Sequence, residues 1–116
     1  MSTMWDGTYT ALVTPFTADG AINNDLLCDL VDWQLQSGVD GIVPCGTTGE
    51  ASTITNDEHA SVIEAVVTRV NGQAKVLAGV GGNDTRNVTI LASRALEIGA
   101  DGVLAVAPYY NKPTQA

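Results

Sequence analysis

At 116 residues, with 45% apolar and 16% charged side chains, the chain is long enough for one buried core and too apolar to be disordered. Thirteen acidic residues against five basic ones give a net charge of −8, which argues against nucleic acid or an anionic membrane as partner. No basic leader precedes an apolar run, and no stretch approaches the ~18 continuous apolar residues of a membrane span, so a cytoplasmic protein is expected.

Tyr9–Thr14 reads as a first strand, stopped by Pro15. Asn23 or Asn24 then caps a helix to about Gln36, with Leu27, Leu30, Val31 and Leu35 on one face and Gly38 at its end. Gly41–Cys45 is a second, continuously apolar strand, and it runs into Gly46-Thr47-Thr48-Gly49-Glu50. Thr55 and Glu58 form a capping box, in which each side chain accepts a free backbone N–H of the other residue. The helix they open carries Val62, Ile63, Val66, Val67 and Val70 at helical spacing and stops near Gly72. Val76–Val80 is the third strand. The turn Gly81-Gly82-Asn83-Asp84-Thr85 starts a third helix with Val88, Leu91, Ala92 and Ala95 inward and Gly99 at its end. Gly102–Ala107 is the fourth strand, followed by Pro108-Tyr109-Tyr110-Asn111.

The order is therefore βαβαβαβ, with apolar strands of the kind found in parallel sheets covered by helices. The unit Gly38-Val39-Asp40-Gly41 recurs as Gly99-Ala100-Asp101-Gly102, in each case a helix stop, a tight turn and a strand start. Two architectures fit this pattern. One is a complete doubly wound sheet. The other is the first half of a (β/α)8 barrel, which needs about 250 residues in full. In both, ligands meet the carboxyl ends of the strands, where Thr14-Pro15, Gly46–Glu50, Gly81–Asn83 and Tyr109-Tyr110 all fall.

Gly46-Thr47-Thr48-Gly49-Glu50, Gly81-Gly82-Asn83 with Thr85, and Pro108-Tyr109-Tyr110-Asn111-Lys112-Pro113 together resemble the amino-terminal half of the dihydrodipicolinate synthase family, within the pyruvate-dependent class I aldolases. The resemblance runs from about Gly7 to Gln115 and implies the barrel. It also implies a reaction that joins pyruvate to aspartate-4-semialdehyde in lysine biosynthesis, through a Schiff base on a lysine of a later strand. By that resemblance Thr47 and Tyr110 belong to a hydroxyl relay that moves protons, Tyr110 being lent across a dimer to its neighbour. Thr48 meets the pyruvate carboxylate. In some members of the family His59, Asn83 and Tyr109 border an allosteric lysine site. Here Asn87 stands where the resemblance calls for a glutamate, and Asn56 adds no charge, so lysine feedback is not expected.

Each of these residues also has a plainer reading. A Gly-Thr-Thr-Gly turn can simply cap backbone groups, although hydroxyls donate and accept at once, as a proton relay requires. Glu50 is expected to pin its loop by accepting backbone N–H groups. Tyr109 and Tyr110 suit packing or an interface, and as neighbours at a strand end they point opposite ways. His59, spaced with Val62, Ile63 and Val66, reads as a histidine at the edge of the core. Trp5 and Trp33 read as packing residues.

The lysines are Lys75, at the far end of the third strand, and Lys112, in a proline-flanked loop; neither suits a Schiff-base amine, which burial at the active face must depress. Cys28 and Cys45 read as reduced thiols, no metal-site spacing occurs, and no cofactor is expected. Residues 1–116 are thus expected to be a partial barrel truncated before its Schiff-base strand, inactive alone and prone to self-association through raw sheet edges. A non-catalytic half-barrel scaffold is the competing reading. A phosphate site at Gly81-Gly82-Asn83 is weaker, because the turn lacks the P-loop lysine.

Overall fold

Why each helix starts and stops is visible in its caps. In a computed structural model that describes residues 5–111 and 114, α1 (Asn24–Gln36) begins at Asn23, whose side chain accepts the Leu26 N–H at 3.1 Å. The helix α2 (Asn56–Val70) opens on the expected box: the Glu58 N–H donates to Thr55 Oγ1 at 3.1 Å, and the Thr55 N–H donates to Glu58 Oε1 at 2.9 Å. Such a cap stabilises a helix by about 1 kcal/mol. Asn71 caps the end of α2 in a left-handed conformation, and Gly72 after it also has a positive φ. Asp84 caps α3 (Thr85–Ile98), and Gly99 closes it.

Four short parallel strands, β1 (Tyr9–Ala11), β2 (Gly41–Val43), β3 (Lys75–Gly79) and β4 (Gly102–Leu104), lie in the order β1-β2-β3-β4. Their register pairs Thr10 with Ile42, Ile42 with Val76, and Ala78 with Val103. Three of the four are shorter than the apolar runs suggested. Past Ala11, Val43 and Leu104 the regular ladder stops, and only single bonds such as Leu12 N to Val43 O, at 3.0 Å, extend it.

All three helices cover one face. The helix α1 packs on α2 and α2 on α3, and one cluster joins Leu27, Val31, Val62, Ile63, Val66, Val70, Leu91 and Ala95 to Leu12, Ile42, Val76, Ala78 and Val80. Each fully buried Leu, Ile or Val here contributes about 1.5–3 kcal/mol. The alternate strand residues face away from the helices. Ala11, Val13, Leu104 and Val106 on that side are exposed. A doubly wound sheet would reverse its strand order and carry helices on both faces. Sequential strands under a single helical layer are the opening run of a barrel, so the second architecture is the observed one.

The repeated Asp-Gly units lace the amino ends of the strands. Asp40 Oδ2 accepts the Thr8 N–H at 2.7 Å, and Asp101 Oδ2 accepts the Val76 N–H at 2.8 Å. The glycine after each aspartate lies under an aromatic ring. A Cβ on Gly41 would strike Tyr9, and one on Gly102 would strike Trp5. Trp5 therefore packs on one face only, being 41% exposed, whereas Trp33 is 61% exposed on α1. Among the described residues no helix is long and apolar enough to cross a membrane.

Candidate active site

After Val43 the backbone stays buried through Pro44 and Cys45 and then folds back on itself. Cys45 takes a left-handed conformation (φ +58°), and Glu50 takes another (φ +59°). Such conformations cost a non-glycine residue about 1–3 kcal/mol unless the surroundings impose them. Between them the Gly49 and Glu50 N–H groups donate to the Gly46 and Thr47 carbonyls, both at 3.0 Å. The Thr53 N–H and hydroxyl both donate to the Glu50 carbonyl, at 3.0 and 2.9 Å. Glu50 thus anchors its loop through its backbone. The carboxylate, expected to do so, makes no capping bond to the 3-10 turn that follows.

Two buried groups hold this turn from either side. The Thr14 hydroxyl, 4% exposed, donates to the Gly49 carbonyl at 2.7 Å. On the other flank Gly79 passes so close beneath Cys45 and Gly46 that any Cβ would fall onto the Cys45 carbonyl. The Gly79 N–H donates to Pro44 O at 2.8 Å, and its carbonyl lies 2.7 Å from His59 Nε2. A carbonyl only accepts, so Nε2 carries the proton. Burial holds the His59 pKa below the usual imidazole value, against the opposing pull of the Gly79 carbonyl, and the charge of Arg94 adds to the depression. The ring is neutral at pH 7.

A cavity of about 410 Å³ opens beside the turn at the carboxyl ends of the strands, lined by residues that include Cys45, Thr47, Ser52, Gly79, Leu104, Val106 and Tyr109. Its walls are largely apolar, and Thr47 contributes a hydroxyl that can donate and accept. Cys45 is no nucleophile, because burial pushes its thiol pKa up to about 12. A second cavity of about 170 Å³ adjoins the first and is polar. Ser52, Asn56, His59, Asn83, Asp84, Asn87 and Tyr109 are among its lining residues. Asn56 and Asn87 exchange amide hydrogen bonds at 2.6 and 3.2 Å across the gap between α2 and α3. Asn111 Nδ2 donates to the Asn83 carbonyl at 2.7 Å, tying the last loop to the third.

The sequence-derived candidates thus fall into two groups. Thr47 and Tyr109 line the larger cavity, and His59, Asn83 and Tyr109 meet at the smaller one. Thr48 is exposed and lies outside both linings, as does Tyr110, which is 92% exposed at φ +71°. The two tyrosines diverge because they sit in a turn, not because of strand pleating. Lys75 opens β3 at the opposite end of the sheet, and Lys112 lies outside the described residues. Both cysteines are free. Among the described residues no group of three or more His, Cys, Asp or Glu side chains is placed to hold a metal. The sequence placed Thr14 at the carboxyl ends of the strands without giving its side chain a role, and nothing in it singled out Ser52. A hydroxyl between an apolar strand and Pro15 was the available signal for the first.

The model of the dihydrodipicolinate synthetase family matches residues 4–116. The 4-hydroxy-tetrahydrodipicolinate synthase of Pelobacter propionicus is 54% identical over 112 residues, covering 97% of this chain and 38% of that protein. Among solved structures, dihydrodipicolinate synthase from Aquifex aeolicus superposes with a TM-score of 0.92 at 48% identity, covering 96% of this chain and 38% of the other. The chloride-inhibited dihydrodipicolinate synthase of Acinetobacter baumannii, solved in complex with pyruvate, gives 0.91 at 44% identity, with 94% and 38% covered. The chain spans a little over a third of the length of the relatives it matches.

Proposed function

The chain belongs to the dihydrodipicolinate synthetase family, and on that premise we propose that it forms the amino-terminal part of a 4-hydroxy-tetrahydrodipicolinate synthase. The whole protein then condenses pyruvate with aspartate-4-semialdehyde through a lysine Schiff base, in the cytoplasm, on the way to lysine. The observation that carries this reading is the Thr47 hydroxyl at the mouth of a cavity bounded by the carboxyl ends of parallel strands. The pyruvate complex of the Acinetobacter relative supports the choice of keto acid.

In this scheme Thr47 passes protons between substrate and relay, since a hydroxyl accepts one proton as it gives up another. Thr48 binds the pyruvate carboxylate with help from the N–H groups of its turn. Tyr110 serves a neighbouring subunit, and its near-complete exposure supports that outward role. Self-association, as a dimer or tetramer, therefore completes the relay. The polar cavity at His59, Asn83 and Tyr109 is the counterpart of the family's lysine site. Its facing side chains Asn56 and Asn87 are neutral and spend their amides on each other, which weighs against holding an ammonium group. The reactive amine comes from outside these residues, because Lys75 stands at the wrong end of β3. Residues 1–116 alone are accordingly inactive.

Incubation with pyruvate followed by borohydride tests this reading. The intact protein should gain a reduced pyruvyl adduct on a lysine outside residues 1–116, and the 116-residue chain should gain none. A stable adduct on Lys75 or Lys112 would overturn the assignment. A scaffold without chemistry would give no adduct in either case.

A further inference from the structure

The Thr10 hydroxyl is buried without a hydrogen-bond partner, and among the described residues two polar residues are buried as a whole, Thr14 and His59, at 4% and 3% exposure. Burying a hydroxyl or an imidazole is costly unless its hydrogen bond is made. Thr14 and His59 each make one bond at 2.7 Å, and each makes it to a backbone carbonyl. The two carbonyls belong to Gly49, within the turn that carries Thr47, and to Gly79, which passes beneath the start of that turn. Gly49 lies inside the turn and is itself buried. A Cβ there would crowd the Leu12 carbonyl, the Cys45 N–H and the Thr14 hydroxyl. Gly79 lies under the Cys45-Gly46 peptide and is bonded back to Pro44. The left-handed residues Cys45 and Glu50 bracket the same segment, so its shape is imposed from outside rather than preferred locally.

We propose that Thr14 and His59 are positioning residues: two buried donors, from the segment after β1 and from α2, that clamp the Gly46–Glu50 turn, Thr14 directly at Gly49 and His59 through Gly79 of β3, and so fix the Thr47 hydroxyl at the cavity mouth. The proposal rests on the functional reading of Thr47 above. A hydroxyl relay requires its oxygen within a few tenths of an ångström of the reacting atoms, and a shift of about 1 Å can cost about 10²-fold in rate. Neither donor needs to touch substrate.

The test is amide hydrogen exchange together with steady-state kinetics on the intact protein. In Thr14→Val the Gly49, Glu50 and Ala51 amides should exchange at least about tenfold faster while those of α2 and α3 keep their rates. The kcat should fall about tenfold or more with KM for pyruvate held within about twofold. Thr14→Ser, which keeps the donor, should restore both. His59→Phe should speed exchange of the Gly79 amide in the same selective way. If Thr14→Val does not fold, Thr14→Cys, with its weak thiol donor, should lie between wild type and loss. Unchanged exchange in the turn, or faster exchange spread evenly over the helices, would overturn the clamp. Full turnover in Thr47→Val would instead overturn the reading of the site, and the purpose of the clamp with it.

Discussion

The two ends of the sheet are built from the same kinds of residue and used in opposite ways. At the amino ends the polar groups are spent on the fold. The Asp40 and Asp101 carboxylates are bound to strand N–H groups, and Tyr9 and Trp5 lie on the glycines that follow them. At the carboxyl ends the fold spends buried donors, Thr14 and His59, to leave other hydroxyls unspent. Thr47 and Thr48 are exposed, and of the four left-handed non-glycine residues among the described residues, three, Cys45, Glu50 and Tyr110, lie at this end. One end holds the sheet together and, on the function proposed above, the other holds chemistry ready, the division expected of a barrel.

The contrast can be broken most severely at the rim. Thr47→Val should lower turnover of the intact protein by about 10²–10⁴, the usual contribution of a proton-transferring group. Its unfolding free energy from urea titration should stay within about 0.5 kcal/mol of wild type, because the side chain is exposed. Gly79→Ala should do the reverse in kind. Its new methyl meets backbone that cannot yield easily, so a loss of about 1–3 kcal/mol is expected by denaturant titration. At the opposite end, Asp101→Ala should cost about 1–2 kcal/mol of stability and leave the kinetics of the intact protein unchanged. Asp40→Ala should cost less, since its bond lies exposed while that of Asp101 is half-buried.

A smaller effect concerns pH. The folded pKa of His59 lies below its ordinary value of 6.5. As pH falls through 6.5 the unfolded chain takes up a proton that the folded chain refuses, so stability falls with acid until the folded pKa is reached. His59→Gln should flatten that part of the stability curve, measured by thermal melts between pH 7 and 5. An unchanged slope would move the linkage to other groups.

Much of the fold was readable because each signal was local. The Asn23 cap, the Thr55–Glu58 box and the inward faces of all three helices follow from side chains acting on their own backbone or at helical spacing. Strand ends were overread, because an apolar run continues past Val43 into Pro44 and Cys45, which are buried but outside the regular ladder, with only the Pro44 carbonyl bonded to β3. Choosing between a doubly wound sheet and a barrel needed strand order, which periodicity does not encode. At the site, Thr47 was legible as a hydroxyl in a turn after a strand. The clamp was not, because Thr14 and Gly49 meet only across 35 residues of chain, and His59 and Gly79 across 20. Trp33 misled through its size alone: a large aromatic ring was assigned to packing, yet α1 turns it outward.

The central claim is that the carboxyl rim of this sheet receives a keto acid at the Thr47-Thr48 turn. A crystal structure of the intact protein with pyruvate bound tests it most directly. The account predicts the carboxylate within hydrogen-bond distance, about 3 Å, of the Thr48 hydroxyl or the N–H groups of that turn, with Thr47 beside the former keto carbon. Pyruvate found in the polar cavity beside His59 and Asn87, or at the Asp40–Asp101 end of the sheet, would contradict it.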